Sequence, residues 1–259
     1  MNWTGLAATI WDPSGGDDPQ NDYAYIKKLL EQNPGTALDV GCGTGRLLLR
    51  NLKDGLDVEG IDTSADMLAI LREKAAAQGL EQPTLYQGYM QELDLPRQYQ
   101  VIYVPCGTFC LVTDREQALE TLRRFYAHLN PGGLLVFNLF WPFGKGEALA
   151  DTRLAQDKNW AAMWDDEMPD GGGTVSQSIK LVKLDRVEQL LIAKRRYQLF
   201  KDGTLVREEI FDSNERWYFK YEVIMMLEKF SFHDIQVKGN WTDDDFTEAH
   251  DSIIFMARK

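Results

Sequence analysis

The sequence predicts an α/β fold, in which a doubly wound, mostly parallel seven-stranded sheet carries an antiparallel β insertion after strand five. Residues 36–140 alternate between buried strand patterns and amphipathic helix patterns. Residues 174–211 hold three strand patterns that are joined by tight turns. One helix pattern and two strand patterns then end the chain and complete the main sheet.

The N-terminal half supplies five strands and four helices to this prediction. The segment YQVIYV is continuous and rich in β-branched and aromatic residues, as in a strand buried on both faces. Strands joined by helices pair in parallel through right-handed crossovers, so ligands bind at the carboxyl ends of the strands. We predict strands at 36–41, 56–62, 83–88, 99–104 and 134–140, and helices at 21–32, 46–53, 65–78 and 115–129.

The C-terminal half is predicted to be a mixture of loop and antiparallel sheet. Residues 141–173 are rich in loop-forming residues. Further elements are predicted as strands at 174–184, 187–200 and 204–211, a helix at 218–230, and strands at 235–241 and 252–259. The predicted regions are an N-terminal lid segment and helix (1–34), a ligand-binding core (35–140), an inserted substrate or lid sheet (141–213), and a closing helix and β-hairpin (214–259).

Composition and charge narrow the classes of partner. The chain has 259 residues with 28 Lys and Arg against 40 Asp and Glu, for a formal net charge of −12. An acidic surface repels phosphate backbones, so we expect no nucleic-acid partner. The chain has no apolar run long enough to span a membrane and no signal-peptide pattern at its start. Its three cysteines lack metal-ligand spacing, and we expect a cytoplasmic protein with reduced thiols and no bound metal.

A glycine-rich loop follows the first predicted strand and precedes a helix. It reads Asp39-Val40-Gly41-Cys42-Gly43-Thr44-Gly45. Glycines let the backbone turn sharply and let a ligand approach closely. The spacing D-x-G-x-G-x-G differs from the dinucleotide fingerprint G-x-G-x-x-G, which disfavours a nicotinamide dehydrogenase. Asp39 adds a carboxylate that suits an amine or another cation.

Asp62 ends the second predicted strand and is the second signal. An acid at this position can accept hydrogen bonds from both hydroxyls of a ribose. Taken singly, the glycines are compatible with a tight structural turn, and Asp62 with a helix cap. Together, after two successive strands, they favour a nucleoside site.

At these residues the chain resembles the class I, seven-β-strand methyltransferases that use S-adenosylmethionine (SAM) and share a Rossmann-like fold. The resemblance rests on ALDVGCGTGRL (37–47), GIDTSADML (60–68) and LNPGGLLVFNLF (129–140). It covers residues 35–140 closely and the C-terminal elements more loosely. It implies that SAM is the cofactor, with S-adenosylhomocysteine as its product.

The resemblance also implies a set of cofactor-binding residues. Asp39 would lie near the SAM amino group, with the glycine loop beside its methionine part. Asp62 would hold the ribose hydroxyls, and Met67, Met90 and Gln91 would contact the adenosyl group. The full set is Asp39, Gly41, Cys42, Gly43, Gly45, Asp62, Thr63, Met67, Met90, Gln91 and Pro105.

The segment after the fourth predicted strand bears on the acceptor. It reads Pro105-Cys106-Gly107-Thr108-Phe109, whereas family members that methylate base amines carry Asn/Asp-Pro-Pro-Tyr/Phe there. The overall layout is similar to that of small-molecule N-methyltransferases, including those that act on amino sugars. We therefore expect a small-molecule acceptor, with an amine or a hydroxyl as the methylated group.

The sequence gives candidates for the walls of a substrate pocket but names no catalytic base. Aromatic side chains there would shield the sulfonium and hold a cationic amine. The candidates are Trp11, Tyr23, Phe109, Trp141, Phe143 and His250. The inserted sheet is also the expected surface of a homodimer.

Two alternatives use the same cofactor site. The acidic surface suits a basic peptide or protein acceptor. A SAM-binding regulatory module without turnover is the other alternative, because a binding motif does not establish catalysis.

Overall fold

A computed structural model describes residues 3–11, 22–141, 159–168 and 171–259. The described helices are α1 (Gly5–Thr9), α2 (Asp22–Gln32), α3 (Leu48–Lys53), α4 (Ala65–Ala77), α5 (Arg115–His128) and α6 (Lys220–Lys229). The described strands are β1 (Ala37–Val40), β2 (Val58–Asp62), β3 (Leu85–Gln87), β4 (Tyr99–Val104), β5 (Leu129–Phe140), β6 (Ala161–Glu167), β7 (Thr174–Asp185), β8 (Leu190–Lys201), β9 (Thr204–Arg216), β10 (His233–Gly239) and β11 (Ser252–Arg258). Short 3-10 turns follow β3 at Met90–Glu92 and β4 at Thr108–Leu111. None of the described helices has the length and apolar character needed to cross a membrane.

The main sheet has the strand order β10-β11-β5-β4-β1-β2-β3. Its strands pair in parallel from β5 through β3, whereas β11 runs antiparallel to both β5 and β10. This arrangement confirms the predicted fold class. The chain order reverses between β1 and β4, and crevices for ligands open at the carboxyl ends of strands beside such a switch point.

Both faces of the five inner strands of the main sheet are buried, as the continuous strand patterns predict, whereas the edge strands β3 and β10 are more exposed. Side chains of β4 alternate between two apolar clusters. Ile102 and Val104 join one cluster with Phe125 and Phe137, whereas Val101 and Tyr103 join the other. Helices therefore cover the sheet on each side, and its carboxyl edge is left for the loops that form the site.

The second sheet is antiparallel, with the order β6-β7-β8-β9, and it lies in the chain between β5 and α6. The predicted insertion after strand five is thus confirmed, with two differences. Strand β6 lies in the stretch that was predicted as loop. The sequence did not predict it because the run Asp165-Asp166-Glu167 has low β propensity, and the strand forms through its hydrogen bonds with β7. Strand β9 continues to Arg216, five residues past the predicted end of this strand at 211.

Strand β5 begins at Leu129, earlier than the predicted start at residue 134. Leu129 pairs with Tyr99, the register then shifts, and Leu134 pairs with Val101. The four residues 130–133 therefore form an irregularity inside the strand, so α5 leads directly into β5.

Helix α1 joins the main sheet layer to the inserted sheet. The Gly5 amide donates to Asp66 Oδ2 in α4 at 2.9 Å, and the Leu6 amide donates to Glu209 Oε2 in β9 at 2.9 Å. Its apolar side chains pack with Val175 and Tyr197 of the inserted sheet. A helix of five residues is marginal alone, so these tertiary contacts explain why the sequence pattern did not predict it.

Candidate functional site

A cavity of about 760 Å³ lies at the carboxyl ends of β1, β2 and β4. Loops after these strands form one half of its lining, and the inner face of the inserted sheet contributes to the other half. The volume falls within the range of about 300–1,000 Å³ that is typical of small-molecule sites. The cavity is therefore the candidate site.

The glycine loop combines a ligand-facing part with a packing part. Gly41 and Gly43 line the cavity. Gly41 has φ +76°, and a Cβ there would lie 2.5 Å from Thr108 Cγ2. Gly45 faces the other way, since a Cβ there would lie 2.8 Å from Leu71 Cγ and 2.9 Å from Leu49 Cγ. Gly45 thus lets α3 and α4 pack closely and does not line the cavity.

Asp39, the next-to-last residue of β1, places a buried carboxyl group on the cavity wall. Its Oδ1 has no hydrogen-bond partner among the described residues. Burial raises the pKa of Asp39 to about 8, although a hydrogen bond from Tyr103 and the charge of Arg46 act to lower it. A buried oxygen without a partner is costly, so this atom fits a ligand that brings a cationic donor such as an amino group.

Asp62 fixes the relation between the two loops that follow β1 and β2. Its Oδ2 accepts from the Gly43 amide at 2.9 Å, and its Oδ1 accepts from the Ser64 amide at 2.8 Å. Burial raises the pKa of Asp62, and these backbone hydrogen bonds counteract the rise. Each carboxylate oxygen has a second lone pair, so Asp62 has the capacity to accept from a diol.

The cap of α4 is Ser64, whose Oγ accepts from the Met67 amide at 3.2 Å. This matches the predicted Thr63-Ser64 cap and leaves Asp62 outside the helix. The alternative interpretation of Asp62 as a helix cap therefore does not apply.

The other predicted cofactor residues converge on the same cavity. Met67 is almost fully buried on α4, and Met90 and Gln91 lie in the 3-10 turn after β3. Every predicted cofactor residue except Gly45 lines the cavity: Asp39, Gly41, Cys42, Gly43, Asp62, Thr63, Met67, Met90, Gln91 and Pro105.

Two of the predicted substrate residues line the cavity, namely Trp11 and Trp141. The Trp11 ring lies beside Trp3, with ring centroids 4.0 Å apart, and Trp3 is a lining residue that the sequence did not suggest. Trp141 packs edge-on against Phe246 at 5.4 Å. These indole rings give the cavity aromatic walls.

The structure places Phe109 and Tyr23 away from the cavity. Phe109 is fully buried and packs against Phe137 and Tyr218, because its 3-10 turn directs the ring into the core. Tyr23 donates its hydroxyl hydrogen to Asp54 on the outer side of α2.

The structure also places His250 outside the lining. Its Nδ1 accepts from the Thr247 amide at 3.0 Å, and its ring covers Gly239. The next residue, Asp251, lines the cavity instead. Phe143 lies outside the described residues.

Sequence reasoning missed the side chains that the inserted sheet contributes. They lie on one face of the sheet, where Ile179 pairs with Arg195 and Leu191 pairs with Glu215 across neighbouring strands. The lining residues from this sheet are Met163, Ile179, Leu191, Arg195 and Glu215. The alternation of β8 places 191, 193, 195, 197 and 199 on a common face, but nothing in the sequence shows what that face covers.

Arg46 is another lining residue that the sequence did not suggest, and it ties three elements together. It donates to Asp22 through Nη1–Oδ1 at 2.8 Å and Nη2–Oδ2 at 2.6 Å, and its Nη2 lies 3.2 Å from Cys106 Sγ. Asp22 is fully buried at the start of α2. The bidentate pair therefore holds α2, the glycine loop and the loop after β4 in one arrangement.

Comparison with known proteins gives a family match and a shared fold. A family model described as a methyltransferase domain matches residues 37–133. A curated relative, dTDP-3-amino-3,6-dideoxy-alpha-D-glucopyranose N,N-dimethyltransferase of Streptomyces fradiae, is 30% identical over 147 residues, which are 54% of this chain and 55% of that protein. The matched segments span 46% to 64% of the length of this and two further curated relatives.

Two solved structures extend the likeness to nearly the whole chain. An S-adenosylmethionine-dependent methyltransferase from Clostridium acetobutylicum has a TM-score of 0.75 at 19% identity, over 93% of this chain and 92% of that chain. The sugar N-methyltransferase KedS8 from Streptoalloteichus has a TM-score of 0.72 at 16% identity, over 98% of this chain and 94% of that chain. At these identities the structures establish a shared fold. The methyltransferase-domain match thus covers residues 37–133, and the fold shared with these two methyltransferases covers nearly the whole chain.

Proposed function

We propose that this chain transfers the methyl group of SAM to a small-molecule acceptor, and that the acceptor atom is an amine nitrogen. The observation that carries the proposal is the single cavity that runs from Asp39 and Asp62 to the inner face of the inserted sheet. A donor at the two acids and an acceptor under the sheet would lie side by side. Methyl transfer depends chiefly on such alignment at contact distance.

The chain's own residues would hold the donor in the half of the cavity formed by the strand ends. SAM supplies a methyl group that its positive sulfur activates for attack. Asp39 would pair with the amino group, and Asp62 would accept hydrogen bonds from the ribose hydroxyls. Met67 and Met90 would pack against the adenosyl group as polarizable apolar side chains.

Support for an amine acceptor comes from the acceptor half and from the relatives. The aromatic rings of Trp11 and Trp141 and the carboxylate of Glu215 line the cavity, a combination that suits a cationic amine. The Streptomyces fradiae relative is an N,N-dimethyltransferase of an amino-sugar nucleotide, and KedS8 is a sugar N-methyltransferase. The proposal includes no metal ion.

The test is a screen for methyl acceptance with the purified chain and SAM. The panel holds amino-sugar nucleotides, simple amino acids and a basic peptide, and each amino sugar is matched by the same sugar with a hydroxyl in place of the amine. We expect S-adenosylhomocysteine to form with an amine and not with its hydroxyl counterpart. Turnover with the peptide alone would favour the peptide-methyltransferase alternative, and SAM binding without any turnover would favour the regulatory module.

A further inference from the structure

Among the described residues of the inserted sheet, Glu215 is the acidic residue that lines the cavity. It lies one residue before the end of β9, opposite Leu191 of β8, which also lines the cavity. The Glu215 side chain is 25% exposed. It also borders a small recess with Cys110 and Phe140, next to the loop after β4. Glu215 therefore lies where the inserted sheet meets the carboxyl edge of the main sheet.

Arg195 is the charged neighbour of Glu215. Its Nη2 forms an ion pair with Glu215 Oε1 at 3.7 Å, a separation longer than a hydrogen bond, so the carboxylate keeps lone pairs for another donor. Arg195 donates its Nε hydrogen to Ser213 Oγ at 3.0 Å. The neighbouring Arg216 donates to the carbonyl oxygens of Thr113 and Glu188.

Other titratable groups near this half of the cavity are few among the described residues. Cys110 faces Glu215 from the 3-10 turn after β4, and burial raises the pKa of that thiol to about 12, so it is neutral at physiological pH. Arg46 and Asp251 also line the cavity, and the carbonyl oxygen of Asp251 accepts from the Trp141 amide at 3.2 Å, so Asp251 is a second acid in the acceptor half. Burial also raises the pKa of Glu215, and the charge of Arg195 counteracts the rise. A carboxylate with a pKa above its ordinary value is a better proton acceptor near neutral pH.

We infer that Glu215 binds the protonated acceptor amine and takes up its proton before methyl transfer, an assignment that rests on the proposed function. An ammonium nitrogen has no lone pair and cannot attack carbon. Proton transfer to Glu215 leaves a neutral amine and a neutral carboxylic acid. The nitrogen lone pair then forms the new N–C bond while the S–C bond breaks, and the electron pair of that bond stays on sulfur. The carboxylic acid of Glu215 then releases its proton to solvent, which regenerates the carboxylate, and the product ammonium loses its own proton to solvent after release.

The experiment compares the wild type with Glu215→Gln, Glu215→Asp and the control variant Glu208→Gln. The substrate is the amine of the panel that the wild type methylates. Glu208 is exposed on the outer face of the same strand, where it accepts from Gln198 at 2.7 Å. For each protein we measure kcat/KM from pH 5 to pH 9, the SAM dissociation constant by calorimetry, and Tm.

We expect Glu215→Gln to lower kcat/KM by about 100-fold or more, within the range for loss of a general base. In this variant kcat/KM should instead rise with pH in step with the deprotonation of the free acceptor amine, while SAM affinity and Tm stay those of the wild type. Glu208→Gln should keep the wild-type profile. Glu215→Asp retains a carboxylate, so it should keep the acidic limb of the wild-type pH profile at a lower kcat/KM. If Glu215→Gln lowers Tm, Glu215→Asp is the variant that tests the assignment.

Two outcomes would overturn the assignment, and they are distinguishable. If Glu215→Gln methylates the amine at the wild-type rate with the wild-type pH profile, the role of Glu215 is wrong and the proposed function stands. If the wild type methylates no amine, the proposed function falls and the assignment falls with it.

Discussion

The buried carboxyl of Asp39 makes the stability of the ligand-free chain depend on pH. Its pKa is about 8 in the folded chain, well above the value of about 3.9 for an unfolded aspartate. At pH values between these two pKa values, Asp39 is protonated in the folded chain and ionised in the unfolded chain. The free energy of unfolding therefore falls as pH rises.

We predict that Asp39→Asn makes this fall shallower, by about 1 kcal/mol per pH unit between pH 5.5 and 7.5. Denaturant unfolding of the wild type and the variant at three pH values measures the difference between their slopes. Asp57→Asn, an exposed aspartate at the opposite edge of the sheet, is the control. Parallel slopes for wild type and Asp39→Asn would mean that Asp39 is ionised in the folded chain.

The carboxylate of Asp62 acts on both the loop and the expected ligand. It accepts from the Gly43 and Ser64 amides, and its remaining lone pairs are available to a ribose. We predict that Asp62→Ala weakens SAM binding by about 1–3 kcal/mol through lost charge-assisted hydrogen bonds. Calorimetry measures this loss, with Asp57→Ala as the control. Unchanged affinity in Asp62→Ala would refute the ribose role.

At the scale of the element, the glycine loop combines an unusual backbone conformation with a close neighbour. Gly41 has φ +76°, and a Cβ there would lie 2.5 Å from Thr108 Cγ2. Gly55 has φ +82°, and a Cβ there would meet nothing within 4 Å. An alanine at either position would therefore have a strained backbone conformation, but only an alanine at position 41 would also clash with Thr108.

We predict that Gly41→Ala destabilises the fold more than Gly55→Ala, whose cost is about 1 kcal/mol of backbone strain. Part of the extra loss should return in Gly41→Ala/Thr108→Ser, since serine lacks the clashing methyl group. Thermal unfolding measures all three variants. Equal losses for the two single variants would show that Thr108 moves aside without cost.

The elements that the sequence predicted well are those with a strong local pattern. Strand β4 was predicted with the same bounds, and α4 within one residue, because continuous β-branched runs and a serine cap are local signals. The sequence did not predict β6, which is rich in acidic residues, or α1, which is only one short helical turn. Contacts with residues distant in sequence stabilise both elements.

The candidate site divides in the same way. The half at the strand ends was predictable because the glycine loop follows β1, Asp62 ends β2, and parallel strands bring their carboxyl ends together. The half under the inserted sheet was not predictable. Arg195 and Glu215 meet there only through the pairing of β8 with β9, and their common face depends on a register that the sequence does not state.

At the scale of the whole molecule, the cavity is built from regions far apart in sequence. Trp3 and Trp11 flank α1, Asp39 and Asp62 lie at the carboxyl ends of two core strands, and Glu215 comes from the inserted sheet. Helix α1 bonds to both α4 and β9, so it couples the two sheets around the cavity. The homodimer expected through the inserted sheet stays a prediction.

The central claim is that the half of the cavity at Asp39 and Asp62 is a site for a sulfonium nucleoside. Isothermal titration of the ligand-free chain with SAM, S-adenosylhomocysteine and NAD tests it most directly. The account predicts saturable binding of SAM and of its demethylated product at one site, and no heat of binding with NAD. Binding of NAD in preference to SAM, or no binding of SAM at all, would contradict it.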